Sequence, residues 1–413
     1  LDVDMPGAPT LTAPMPEADA DITPHRPVLF TAFEPSGDDH AAPVIAELKR
    51  RRPDLPIYAW GGPKMERAGA IVVERTGDDA VMGMPGLAKI REHKQINERI
   101  ARWMDEHKPI LHVPVDSPGA NFPICALAKA RSCRVVHLVA PQVWAWATWR
   151  IKKLRKRTDH VLCLLPFEEE WFRARGVDAT FIGHPLFEEP VDEAALDEAI
   201  ADWPSGAPRV ALMPGSRPSE MRKNFPLLVG AYRRLEREHE AIAGVVAATR
   251  PEVEAELRRL GAPWPKTLRI ETGKTDQVIR WCDLALVVSG TVTLQIAKQR
   301  RPMVIVYKFS RLISLPLRFV VKTRLFSLPN LIAGRKIVPE LIPHFGTAEP
   351  IADEAITLLE DTSAADEQRT ELARVTDRFA GRQASELAAD RIEMFLPDRP
   401  AEHRAPSPER VAG

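Results

Sequence analysis

The chain has 413 residues, 45% of them apolar, which is enough for two ordinary domains with a core each. Lys plus Arg equals Asp plus Glu at 57 each, and this zero balance excludes a nucleic-acid protein held mainly by electrostatics. The apolar runs are too short for a transmembrane helix, and Cys125, Cys133, Cys163 and Cys282 are too scattered for a metal cluster, so they read as buried free thiols in a reducing compartment.

Residues 1–26 are Pro-rich and acidic, lack the basic start and apolar core of a signal peptide, and read as a disordered leader. The ordered part opens with the strand "PVLFTA". Further strands are expected at "IYAWG", "ILHVPV", "RVVHLVA", "HVLCLL" and "TFIG", separated by helical patterns near 41–51, 87–107, 121–131, 149–157 and 167–175. The rhythm pauses at "GHPLFEEPVDE" and restarts with "RVALMPG", "IAGVVAA", "LRIET", "LALVVSG" and "PMVIVY". Strand–helix alternation of this kind predicts α/β architecture, here two doubly wound parallel-sheet domains, 27–185 and 186–362, facing a cleft. A last helical pattern over 363–395 is expected to pack back across the junction, and 396–413 reads as a disordered tail.

The loops after the strands carry the chemistry. "FTAFEPSGDDH" places Glu34, Ser36, Gly37 and Asp38 after the first strand, although Ser36 or Asp38 could equally cap the next helix. "ILHVPVDSPGANFP" ends its strand with Asp116, either a general base facing the cleft or a turn residue. "APQVWAWATWR" holds Trp144, Trp146 and Trp149, an apolar or sugar-binding wall or simply core. In the second half, "ALMPGSRPSE" joins a Pro-Gly-Ser turn to Arg217, whose forked guanidinium suits phosphate. "VVSGTVTLQIA" ends a strand at Ser289, Gly290 and Thr291 and starts a helix, leaving backbone N–H groups for an anion. Two such turns on one sheet edge suggest a diphosphate or nucleotide. G-x-x-x-x-G-K-[ST] and G-x-G-x-x-G are both missing, which excludes a P-loop ATPase and leaves a standard dinucleotide site unsupported.

The ordered motifs "EPSGD", "GGPKM", "VMGM", "VDSPGANF", "APQVWAW", "LPFE", "IGHP", "LMPGSR", "SGTVTLQ" and "SLPNLIAGRKIVPEL" make residues 27–345 resemble the lipid-A-disaccharide synthase family. The resemblance implies a GT-B fold and transfer of a 2,3-diacylglucosamine unit from UDP to 2,3-diacylglucosamine 1-phosphate with inversion. It implies no metal and no other cofactor, no nucleic acid, and work at the inner face of the inner membrane, with a UDP-sugar donor and a lipid acceptor as partners. It implies that Asp116 takes the acceptor's proton, that Glu34 and Ser36 line the acceptor side, and that Arg217, Ser289, Gly290, Thr291, Gln295 and Asn330 serve the nucleotide side. The only D-x-D patterns, Asp2/Asp4 and Asp19/Asp21, fall in the leader.

The chain departs from the family pattern at several points. Gln295 stands where these enzymes usually carry a Glu that grips the ribose hydroxyls, and "APQVWAWA" places Ala140, Gln142 and Ala147 where Ser, Ser and Arg are usual. "DSPGANF" lacks the second Asp of the family's "DAPDFN". The Val/Leu-rich helix expected after Met84 is replaced by "PGLAKIREHKQINERI". Instead "YKFSRLISLPLRFVVKTRLFSLP" is apolar and basic together, fit either for an anionic membrane surface or for a core helix with a solvated basic face. Beside the full transferase, these departures leave open a diverged paralogue using another UDP-sugar or acceptor, and a UDP-sugar-binding protein without turnover.

Overall fold

The computed structural model describes residues 26–76, 87–145, 148–308 and 324–397, with the backbone alone for 87–90. The leader to residue 25, the tail from 398, the "VMGM" motif with the residues just after it, Trp146, Ala147 and most of the basic apolar stretch lie outside the described residues.

The first half is a seven-stranded parallel sheet of order β3-β2-β1-β4-β5-β6-β7. Its strands are β1 (Val28–Thr31), β2 (Ile57–Gly61), β3 (Ile71–Arg75), β4 (Leu111–Pro114), β5 (Arg134–Leu138), β6 (His160–Cys163) and β7 (Ala179–Phe181). Helices α1 (Pro35–Arg51), α2 (Pro63–Arg67), α3 (Leu87–His107), α4 (Pro118–Ala130), α5 (Ile151–Arg157) and α6 (Glu168–Arg173) connect them. The second half is a six-stranded parallel sheet of order β10-β9-β8-β11-β12-β13. It is built from β8 (Arg209–Met213), β9 (Ala243–Ala248), β10 (Leu268–Thr272), β11 (Leu284–Val288), β12 (Met303–Lys308) and β13 (Glu340–His344). Its helices include α7 (Glu193–Ala199), α8 (Pro218–Glu238), α9 (Glu254–Leu260), α10 (Thr275–Trp281) and α11 (Val292–Lys298); later helices are named by their residues.

The central strands are apolar without alternation because helices cover both faces of each sheet. In β1, Val28 and Phe30 enter one core with Ile45 and Leu48 of α1, while Leu29 enters the opposite one with Trp60, Ile100 and Trp103. In β8, Val210 and Leu212 face one core and Ala211 and Met213 the other. Two strands escape the sequence pattern, and both are edges. β3 alternates exposed and half-buried positions, and β13 contains Pro343, which edge strands tolerate because one side of the backbone needs no ladder partner. The helical pattern over 363–395 is two helices, Thr362–Asp377 and Ala384–Glu393, with Gly381 at φ 70° between them.

Those two helices tie the halves together. Leu294, Ile332, Val375 and Phe379 share one apolar cluster with Phe122, Leu154, Phe172 and Phe181, and Phe187 stacks on Phe379 at 4.3 Å. Ala384–Glu393 lies along α1 and buries Ala388, Ala389 and Ile392 in the first sheet's core. Arg51 of α1 donates to Glu393 at 3.2 Å.

Both sheets reverse direction of winding at their first strand. β1 lies between β2 and β4, and β8 lies between β9 and β11. The loops after β1, β4, β8 and β11 therefore leave the C-terminal sheet edges on either side of a topological switch, where doubly wound sheets open a crevice for ligands.

Candidate active site

The first switch point brings together the loops after β1 and β4. Asp116 and Ser117 follow β4 with φ of 45° and 39°, a left-handed stretch that side-chain-bearing residues seldom adopt. At the end of the neighbouring strand Val139, β-branched, has φ 64°. Hydrogen bonds hold the backbone around Asp116. The Asp116 N–H donates to Leu138 O at 2.9 Å, and Asn121 Nδ2 donates to Val115 O at 3.0 Å and Asp116 O at 2.9 Å.

Asn121 is itself fixed from below. It is fully buried, and its Oδ1 accepts from Thr31 Oγ1 at 2.7 Å. The Thr31 hydroxyl has one hydrogen, so its 2.8 Å bond to His112 Nε2 requires the imidazole to donate from that nitrogen. Burial, with His137 nearby, pushes the His112 imidazole down to about 3, so the donor is a neutral ring. The line His112–Thr31–Asn121 joins β4, β1 and α4 beneath Asp116.

Asp116 itself is half-buried. Burial pushes its carboxyl up to about 6 and Glu34 adds to the push, against the Ser117 amide and the Arg217 guanidinium. A carboxylate that titrates just below neutrality is ionised at pH 7 and still basic enough to take a proton. Ser117 Oγ donates to Glu34 Oε1 at 3.0 Å, so the loops after β1 and β4 are bonded to one another. Ser36 stands exposed in the first turn of α1. Asp38 is buried and caps α2, accepting the amides of Lys64 and Met65 at 2.9 Å each. A Cβ at Gly62 would come within 2.4 Å of Asp38 Oδ2, which accounts physically for the pairing of "EPSGD" with "GGPKM".

The second switch point is open where the first is closed. After β8, Gly215 turns the chain at φ 87° and Arg217 precedes α8. Arg217 is 48% exposed, and its ion-pair partners among the described residues are Glu220 at 3.2 Å and Glu34 across the halves at 4.0 Å. After β11, the Ser289 N–H is spent on Val306 O at 3.1 Å, which removes it from the anion-binding amides expected there. Gly290 and Thr291 are exposed, their amides make no hydrogen bond among the described residues, and a Cβ at Gly290 would meet nothing within 4 Å. Gln295 is half-buried one helical turn beyond Thr291.

Asn330, expected to serve the nucleotide, spends its side chain on the protein itself. It is fully buried in the helix Leu328–Ala333, its Oδ1 accepts the amides of Ile337 and Val338 at 2.7 and 2.9 Å, and its Nδ2 donates to Val338 O at 3.0 Å. It clamps the "GRKIV" loop, and Glu340 receives the Ser327 amide at 2.8 Å ahead of the same helix. Among the tryptophans, Trp144 is core, donating from Nε1 to Glu168 at 2.9 Å, whereas Trp149 is 61% exposed. Burial pushes the Glu168 carboxyl up to about 7, and Asp116 adds to the push. Ser117, Asn121 and Glu168 were not singled out from sequence; all lie in quoted motifs, but their partners are distant in the chain. Among the described residues no cluster of three His, Cys, Asp or Glu is placed to hold a metal ion.

Comparison with known proteins fits this geometry. A sequence model described as lipid-A-disaccharide synthetase matches residues 28–392. The chain is 36% identical to a lipid-A-disaccharide synthase of Anaeromyxobacter dehalogenans over 84% of its length and 92% of the relative's. It is 35% identical to one of Azotobacter vinelandii over 88% and 97%. Among solved structures, the glycosyltransferase of kitacinnamycin aligns with TM-score 0.61 at 16% identity, covering 90% of this chain and 100% of that one. A UDP-GlcNAc 2-epimerase from Neisseria meningitidis bound to UDP-GlcNAc aligns with TM-score 0.60 at 10% identity, covering 89% and 99%.

Proposed function

The chain belongs to the lipid-A-disaccharide synthase family, glycosyltransferases of lipid A synthesis, and on that premise we propose that it joins UDP-2,3-diacylglucosamine to 2,3-diacylglucosamine 1-phosphate with inversion. Asp116 is the general base. The acceptor hydroxyl oxygen attacks the donor's anomeric carbon as its proton passes to Asp116. The bond from that carbon to the β-phosphate oxygen breaks, and the electron pair leaves with UDP. Negative charge then grows on the diphosphate, where Arg217 and the amides of Gly290 and Thr291 meet it without a metal. Gln295 reaches the ribose from the following helical turn. Glu34 and Ser36 serve the acceptor side, and Asn330 acts through the loop it clamps.

The observation that carries this reading is the meeting of the two switch points. A carboxyl raised to about 6 stands on one, a half-exposed arginine stands on the other, and Glu34 touches both sides, Ser117 at 3.0 Å and Arg217 at 4.0 Å. We assign the boundaries 27–185 and 186–362 to the acceptor and donor domains. No helix among the described residues is long and apolar enough to cross a membrane. We infer work at the cytoplasmic face of the inner membrane from the family's lipid acceptor. The test is transfer from UDP-2,3-diacylglucosamine by the purified protein, with Asp116→Ala as control. Disaccharide formed by the natural protein and not by the variant is expected; equal product from both would refute the assignment.

A further inference from the structure

Beyond the site, the residues 148–157 read "TWRIKKLRKR", with six basic side chains and no acid. The structure sorts them by face. Leu154 is fully buried and anchors α5, while Lys152, Lys153, Arg155 and Lys156 are all exposed. On a helix these four span an arc of about 160°. None of the four has an ion-pair partner among the described residues, whereas Arg50 and Arg234 on other helices do. Trp149, just before α5, is 61% exposed, the only tryptophan among the large apolar side chains left in solvent in the described residues.

This surface belongs to the acceptor side. α5 packs on α4, and Arg157 donates to Phe122 O of α4 at 3.1 Å. Ser117, next to Asp116, is the residue just before the same helix α4. Unpaired cations on one face with an indole beside them fit an interface that is anionic at its surface and apolar just beneath. A folded acidic protein would satisfy the lysines but give no apolar layer for the indole, and the chain's zero net charge leaves no broad electrostatic field for nucleic acid.

We propose that Trp149 and the basic face of α5 form the surface by which this protein docks on an anionic phospholipid bilayer. The proposal rests on the reading that the acceptor is a membrane lipid. Docked this way, α5 lies between the bilayer and α4, whose N-cap neighbours Asp116.

The test uses the full chain and vesicles of phosphatidylcholine with or without phosphatidylglycerol, read by co-sedimentation. Binding is expected to need the anionic lipid and to weaken as salt rises. Lys152→Glu with Lys156→Glu is expected to lower the partition coefficient at least tenfold, while the matched pair Lys223→Glu with Lys266→Glu on the donor half changes it less than threefold. Trp149→Ser is expected to remove binding that survives at high salt, since the indole's share is not screened. Thermal melting and transfer to a detergent-dispersed acceptor check that the variants are folded. Should the Glu pair fail to fold, Lys152→Gln with Lys156→Gln carries the same comparison. Equal binding by the α5 variant and the natural chain, or an equal loss from the donor-half pair, would overturn the proposal. Vesicle binding is read whether or not transfer occurs, so failure of the assigned reaction and failure of this surface are separate results.

Discussion

The two switch points have the same topology and opposite finish. The turn after β4 is strained and over-bonded: Asp116 and Ser117 sit at positive φ, with Asn121, Leu138 and Glu34 each holding a group of the turn. The turn after β11 is relaxed and bare, with exposed Gly290 and Thr291 and open space where a Gly290 side chain would be. On the proposed reading Asp116 is a general base, which acts through direction, and a turn held in this way removes freedom before substrate arrives. On the same reading the second turn admits a large charged ligand, which fits amides that face solvent and an Arg217 guanidinium set against Glu34 and Glu220. At 48% exposure that pairing is worth little and is readily exchanged for phosphate.

The largest effect should come from the strained side. Asp116→Asn keeps the shape of the turn and removes the proton acceptor, and a loss of about a thousandfold in kcat is expected in a single-turnover transfer assay. Arg217→Ala should cost roughly a hundredfold in kcat/KM, with Arg217→Lys recovering part of the charge but not the fork. Asn121→Ala tests whether the strain is maintained from below. It should lower kcat by roughly tenfold with little change in KM for the donor, and lower stability by about 1–3 kcal/mol in urea titration, because Thr31 and two carbonyls lose their partner. The pH profile sharpens the same contrast. With Asp116 near 6, the transfer rate should rise with pH through about 6 as the carboxyl deprotonates, and level above it. A profile flat from pH 5 to 8 would remove Asp116 from the rate-determining step. The smallest effect belongs to the bare side: Gln295→Glu should tighten UDP binding by about fivefold in calorimetry by adding a charge-assisted bond to the ribose.

The same contrast explains what was legible in the sequence. Buried parallel strands announce themselves as short apolar runs, so the central strands of both sheets and the Gly and Asp loops at their ends could be read directly. β3 and β13 could not, since no residue of β3 is fully buried and β13 carries a proline, whereas the other two edges, β7 and β10, keep a readable pattern. The shape of the open turn was legible because Gly and Ser set local backbone geometry. Its error was one amide, Ser289, which the neighbouring strand takes. The closed turn was legible only at Asp116. Thr31 and Asn121 are 90 residues apart, and Thr31 and His112 are 81, distances over which composition and spacing carry no signal. Asn330 shows the converse: it lies in a quoted motif, but its carboxamide is spent on the backbone of the loop beside it.

The division of labour between the two turns is tested most directly by measuring UDP affinity and transfer rate on the same pair of variants, Asp116→Asn and Arg217→Ala. The expected result is a crossed one: Asp116→Asn binds UDP within about twofold of the natural protein yet transfers almost nothing, while Arg217→Ala loses at least tenfold in UDP affinity. Near-normal transfer by Asp116→Asn, or equal losses of UDP affinity in both variants, would contradict it.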